Sequence, residues 1–116
     1  MDLSELFQVA GSVEALELDD TLADHLRQRG TYEKHRVRLA EVIQVLARAP
    51  CFFENVGAAR TAPVIMVGPT DSGRMLVIPI EPTSHHGVWR PVTAFEANSH
   101  HIKRYTEEDG NGQSRN

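Results

Sequence analysis

Four of the six histidines stand as adjacent pairs, His85-His86 and His100-His101. Neighbouring side chains on a helix or strand point in different directions, so neither pair is a chelate by itself. A metal site would need one histidine from each pair to converge with a carboxylate. The chain has no HExxH or cysteine-histidine spacing to support this, so no metal and no other cofactor is expected. A second chemistry is available at the later pair. Helical spacing would set His100 beside Arg104 and His101 beside Tyr105. At a helix start the dipole disfavours an added positive charge, so an imidazole there tends to be neutral near pH 7 and able to accept a proton. A proton acceptor, a proton donor and a cation for the anionic transition state are what cleaving a phosphodiester through its neighbouring 2′-hydroxyl requires. The plainer reading of the same residues is a solvated helix face with a histidine-rich start.

The remaining reactive residue types offer less. Ser84-His85 lacks a third partner in the relation a nucleophile needs. Cys51, the only cysteine, follows Pro50 and precedes two phenylalanines, so it reads as a buried inert thiol and can form no internal disulfide. Trp89 reads as a core anchor. The segment from Gly68 to Gly73 lacks the Gly-Lys-Ser/Thr ending of a phosphate loop and reads as a turn. Residues 22–46 could pass for a helix-turn-helix, but the linker from Gly30 to Arg36 exceeds the usual three or four residues.

Local patterns predict the elements that must position these residues. Leu3, Leu6, Phe7 and Ala10 have helical spacing and meet Gly11-Ser12, which predicts one or two short helices over residues 3–18. Asp19-Asp20 opens a helix that stops at Gly30, with acids at the positive end of the dipole. Leu39, Val42, Ile43, Val45 and Leu46 form one broad apolar face of a helix that Pro50 ends. After Pro50 the period changes. Residues 51–53, 64–67, 75–80 and 88–95 are short β-prone runs separated by turn residues, and they predict an antiparallel meander. The run Met75 to Ile78 is apolar on both faces, so its strand should be the most buried. Pro63, Pro79 and Pro91 lack an amide donor and belong at a strand end, a bulge or an unpaired edge. Asn98 caps a last helix running to about Glu108, and residues 109–116 are expected to form a disordered polar tail.

Length and charge bound the rest. At 116 residues the chain can bury roughly two thirds of its unfolded surface around one core. No apolar run approaches the roughly 20 residues of a membrane helix, and the N-terminus is acidic where a secretory signal is basic, so a cytoplasmic protein without membrane partners is expected. The net charge of −4 hides a gradient. Residues 1–24 hold seven acids and no base, residues 25–106 hold eleven bases and six acids, and the last ten residues carry −2. The expected organisation is therefore an acidic N-terminal extension over residues 1–20 that screens the basic face, a domain over 21–108, and the tail over 109–116.

The order of motifs carries a resemblance. Lys34-His35-Arg36-Val37 followed by Glu41-Val42 resembles the K-H-G-V…E-A stretch that opens the second helix of BrnT-type toxins. Asp24 and Arg27 fall where that family carries an acid and a lysine. Gly68-Pro69-Thr70-Asp71-Ser72-Gly73-Arg74-Met75-Leu76 resembles its G-x-T-x-x-G-R-x-L hairpin. Thr93-Ala94, with Ala97 and Tyr105, resembles its T/S-A-R-x-A…Y ending. The similarity spans about residues 22–108. It implies an α+β fold of the RelE/ParE superfamily, with N-terminal helices packed on a three- to four-stranded antiparallel meander and a C-terminal helix. It further implies a bacterial toxin of a type II toxin-antitoxin system, a ribonuclease acting by 2′-hydroxyl attack that arrests translation on RNA, ribosome-bound or free. The implied partner is a ribbon-helix-helix antitoxin, bound as a dimer or hetero-oligomer. Carried onto this sequence, the resemblance makes Lys34, His35, Arg74, Arg90, Lys103, Arg104 and Tyr105 the candidates for RNA contact or catalysis. Joined to the helix-start reading of His100 and His101 above, the expected catalytic residues are His100, His101, Arg104, Tyr105 and Arg90, and the expected RNA contacts are Lys34, His35, Arg74 and Lys103. Phe95 stands where the family has arginine, His101 where it usually has glutamate, and Arg36 where it has glycine. Those departures leave a second reading open: a catalytically inactive RelE-like module that binds a protein partner or nucleic acid.

Overall fold

A computed structural model describes residues 2–29, 36–56 and 62–114. They form an α+β fold of four helices around a six-stranded sheet. In chain order these are α1 (Leu3–Ala10), β1 (Ala15–Leu16), α2 (Asp20–Arg29), α3 (Leu39–Ala47), β2 (Cys51–Glu54), β3 (Val64–Pro69), β4 (Met75–Pro82), β5 (Val88–Pro91), β6 (Phe95–Glu96) and α4 (Ser99–Ser114).

Each helix starts on a side-chain oxygen that satisfies an otherwise orphaned backbone amide. Asp2 accepts from the Glu5 amide at 2.9 Å, Asp19 from Leu22 at 2.8 Å, and Asn98 from His101 at 2.9 Å. At α3 the Glu41 carboxylate reaches back to the Arg38 amide at 3.0 Å. α4 continues to Ser114, beyond the Glu108 at which the sequence pattern ends it.

The sheet order is β1-β5-β4-β3-β2, with β6 also paired to β4. The chain from β2 to β5 is the expected antiparallel meander. Alternate side chains of β3 and β4 feed two cores, as strand geometry dictates. Val64, Met66, Leu76, Ile78 and Ile80 pack with Leu22, Leu26, Val42 and Val45 of α2 and α3. Ile65, Val67 and Val77 pack on the other face with Phe53, Phe95 and Tyr105. Leu76, Val77, Ile78 and Ile80 are each 0 % exposed, so β4 is the two-faced strand its sequence predicts.

Pro79 is accommodated by a bulge. β4 pairs in register with β5 (Ile80↔Pro91) and with β6 (Val77↔Phe95), so Ile78 and Pro79 face three residues, Val92, Thr93 and Ala94. The Val92 amide donates to the Pro79 carbonyl at 2.9 Å. The return bond of that pair cannot form, because proline has no N–H.

The largest difference from the sequence reading lies at the N-terminus. Residues 2–20 are built into the domain and do not form a separate acidic element. The second half of the segment is strand, not helix: β1 runs parallel to β5 with Ala15↔Val88 and Leu16↔Trp89. Leu3, Leu6, Phe7, Ala10, Val13, Leu16 and Leu18 all pack against the larger core. The fully buried Trp89 donates its indole N–H to the Gly11 carbonyl at 3.0 Å and meets the Phe7 ring edge-on at 5.6 Å. Gly11 has φ +87°, and a Cβ there would lie 2.6 Å from the Gly87 nitrogen, so only glycine fits. Accordingly, Gly11→Ala is expected to cost about 2 kcal/mol or more, and a chain lacking residues 1–18 should not give a cooperative urea transition. Chemical denaturation followed by Trp89 fluorescence measures both.

Candidate functional site

The sequence candidates divide between two parts of the molecule. His100, His101, Lys103, Arg104 and Tyr105 lie in the first two turns of α4, which covers the Phe53, Ile65, Val67 and Val77 face of the sheet. His100 and Lys103 are exposed, and the His100 and His101 ring centroids are 5.9 Å apart. Arg104 lies over the Phe53 ring with its guanidinium carbon 4.1 Å from the centroid, a cation–π contact. Tyr105 packs its ring against the same cluster.

His101 is perturbed by its surroundings. Its ring meets Phe95 edge-on at 6.4 Å, and its Nδ1 is buried with no hydrogen-bond partner. Burial foremost, then the neighbouring charges of His100 and Arg104, lower its pKa below the ordinary 6.5. The imidazole is thus neutral at pH 7, as expected from the sequence, but desolvation is the main cause.

Arg74 and Arg90 are engaged elsewhere. Arg74 donates from Nη1 to the Arg36 carbonyl at 2.7 Å and to both Glu41 carboxylate oxygens at 3.1 and 3.2 Å. Its Nε and Nη2 reach Glu96 at 3.2 and 2.8 Å. With 21 % of its side chain exposed, it ties Glu41 of α3 to Glu96 of β6. The turn before it is set by Thr70, 1 % exposed, whose hydroxyl accepts the Arg74 amide at 3.2 Å. Arg90 forms an ion pair with Glu81, its cross-strand neighbour on β4. The hydrogen bond to Glu81 and then its charge raise the Arg90 pKa further, with smaller contributions from Glu17 and Asp19. Glu81 is four residues along β4 from Val77, the partner of Phe95, so Arg90 stands roughly 13 Å of strand away from Phe95, the residue that touches His101. The structure therefore does not bring Arg74 and Arg90 together with the histidines. Lys34 and His35 lie outside the described residues.

A polar contact not anticipated from the sequence links α2 to the bulge: His25 Nε2 and Thr93 Oγ1 are 2.9 Å apart. No local pattern signals it, since the partners are 68 positions apart. Among the described residues no three His, Cys, Asp or Glu side chains cluster to hold a metal ion, and no helix is long and apolar enough to cross a membrane. No family model, no curated protein and no solved structure matches this chain.

Two outcomes test these assignments. Arg74→Ala should destabilise the fold by about 2–4 kcal/mol, because it leaves Glu41 poorly solvated and unpaired; urea titration measures it. His101 is protonated more readily unfolded than folded, so its contribution to stability is present above about pH 6.5 and is lost as pH falls from there toward its lower native pKa. His101→Phe, which removes the orphaned nitrogen, should be no less stable at pH 7.5 and should lose less stability on acidification to pH 5. The difference between the two proteins' urea midpoints at each pH isolates this group.

Proposed function

We propose that this chain is a divergent BrnT-like member of the RelE/ParE superfamily, a cytoplasmic toxin-like ribonuclease whose chemistry is carried by the first turns of α4. The motif order along residues 22–108 supports this reading. So does the succession of α2, α3, a meander whose last strand is interrupted, and a helix that returns basic residues to the sheet. The observation that carries it is the pair of imidazoles at the start of α4, His100 exposed and His101 half-buried, with ring centroids 5.9 Å apart. One imidazole takes the 2′-hydroxyl proton, the other protonates the leaving 5′-oxygen, and Lys103 with Arg104 attracts the phosphate. A ribbon-helix-helix antitoxin is the proposed partner.

A second reading, an inactive module of the same fold that binds protein or nucleic acid, is favoured by one contact. Phe95 and His101, the two positions where arginine and glutamate are expected from the resemblance, touch each other. This chain carries an aromatic couple at those two positions, and Arg74 and Arg90 are bound to carboxylates.

Induction in growing bacteria, followed by mapping of RNA 5′ ends, decides between the two. The ribonuclease reading expects growth arrest and new RNA ends, both abolished in His100→Ala and in the stably folded His101→Phe. Normal growth with no new ends selects the binding module.

A further inference from the structure

On the other face of the sheet, α2, the start of α3 and the β3–β4 turn enclose a half-open cleft of about 710 Å³, the size of a small-ligand site. Ala23, Leu26, Val37 and Leu39 give it an apolar lining, and Arg36 and Arg38 stand at its edge. The charges sort in a particular way. Among the described residues lining the cleft, the two acids are neutralised from outside the arginine pair: Glu41 by Arg74 at 3.1 Å, and Asp71 by Arg48 at 2.9 Å. Arg27 is paired with Asp24. Arg36 and Arg38 are exposed, and no described carboxylate balances either of them.

The same segment is fixed in place. Val37 is 5 % exposed and anchored in the core, and Arg36 and Arg38 on either side of it are both exposed and both line the cleft. The Arg36 carbonyl is held by Arg74 at 2.7 Å and the Arg38 amide by Glu41 at 3.0 Å. Two exposed guanidinium groups with no carboxylate partner among the described residues, on a pinned backbone beside a cleft whose lining is half apolar and half polar, suit a phosphate attached to a ring system with apolar faces.

We propose that this cleft binds a nucleotide, with the phosphate on Arg36 and Arg38 and the base against Leu26, Val37 and Leu39. The nucleotide is either free or one unit of an RNA strand. This site lies across the sheet from α4 and does not depend on the ribonuclease reading.

Isothermal titration of the full-length protein at low salt, with AMP, adenosine, inorganic phosphate and a short RNA in turn, tests it. AMP or the RNA should bind, adenosine and inorganic phosphate should bind more weakly, and Arg36→Ala/Arg38→Ala should lose about tenfold or more in affinity with an unchanged urea midpoint. AMP binding that the RNA does not displace identifies a free nucleotide as the ligand. Displacement of AMP by the RNA, or RNA binding that Arg36→Ala/Arg38→Ala weakens, identifies the strand. AMP affinity that falls in the Arg36→Ala/Arg38→Ala protein separates this outcome from any failure of catalysis at α4. The proposal is overturned by absence of binding to both AMP and the RNA, by inorganic phosphate binding as tightly as AMP, or by unchanged affinity in the double variant.

Discussion

One guanidinium ties the domain together. Arg74 satisfies the Glu41 carboxylate, the Glu96 carboxylate and the Arg36 carbonyl at once, and so joins the helical layer to both ends of the sheet's last hairpin. Each of those groups is costly to desolvate alone. Arginine is the side chain that can serve all three, because its planar fork presents five donors in fixed directions. The consequence is a division of labour among the cations. The arginine that resembles a substrate contact in sequence serves the architecture, and with Glu41 taken up in this way the side chains of Arg36 and Arg38 have no carboxylate partner among the described residues.

The elements with strong local signals were legible from the residues: α3 from its apolar stripe, the α4 start from Asn98, the two-faced burial of β4 from its unbroken apolar run, and the irregular position of Pro79. What local pattern could not show depends on distant partners. β1 is two residues long and has no period of its own; it exists because β5 offers it an edge. The partners of Arg74 lie 33 positions before it and 22 after it, and the Trp89 indole bonds a carbonyl 78 positions away. The candidate site was legible in part for the same reason. Helical spacing placed His100, His101, Arg104 and Tyr105 on one element, whereas the positions of Arg74 and Arg90 follow from long-range pairing that no spacing rule contains.

The charge gradient also takes on a spatial meaning. The acidic first segment is held by apolar contacts through Phe7, Leu16 and Leu18, and the influence of its acids on the basic region is narrow: Glu17 and Asp19 act on Arg90, which already has Glu81. The cations of α4 and of the Arg36-Arg38 edge lie on opposite sides of the sheet and have no described acidic partner from that segment. Net charge is thus a poor guide to what this surface attracts, because neutralisation here is local.

The bulge at Pro79 reaches further than its size suggests. In a two-residue repeat, one extra residue exchanges the two sides of everything that follows. Had the β4–β5 register continued, Phe95 would share a side with Leu76, and Glu96 would face α4. The inserted residue reverses this, so that Phe95 meets His101 and Glu96 meets Arg74. The amide hydrogen that one proline lacks therefore acts as a parity switch for the chain beyond it, setting the surroundings of the histidine on one side of the sheet and completing the arginine's network on the other.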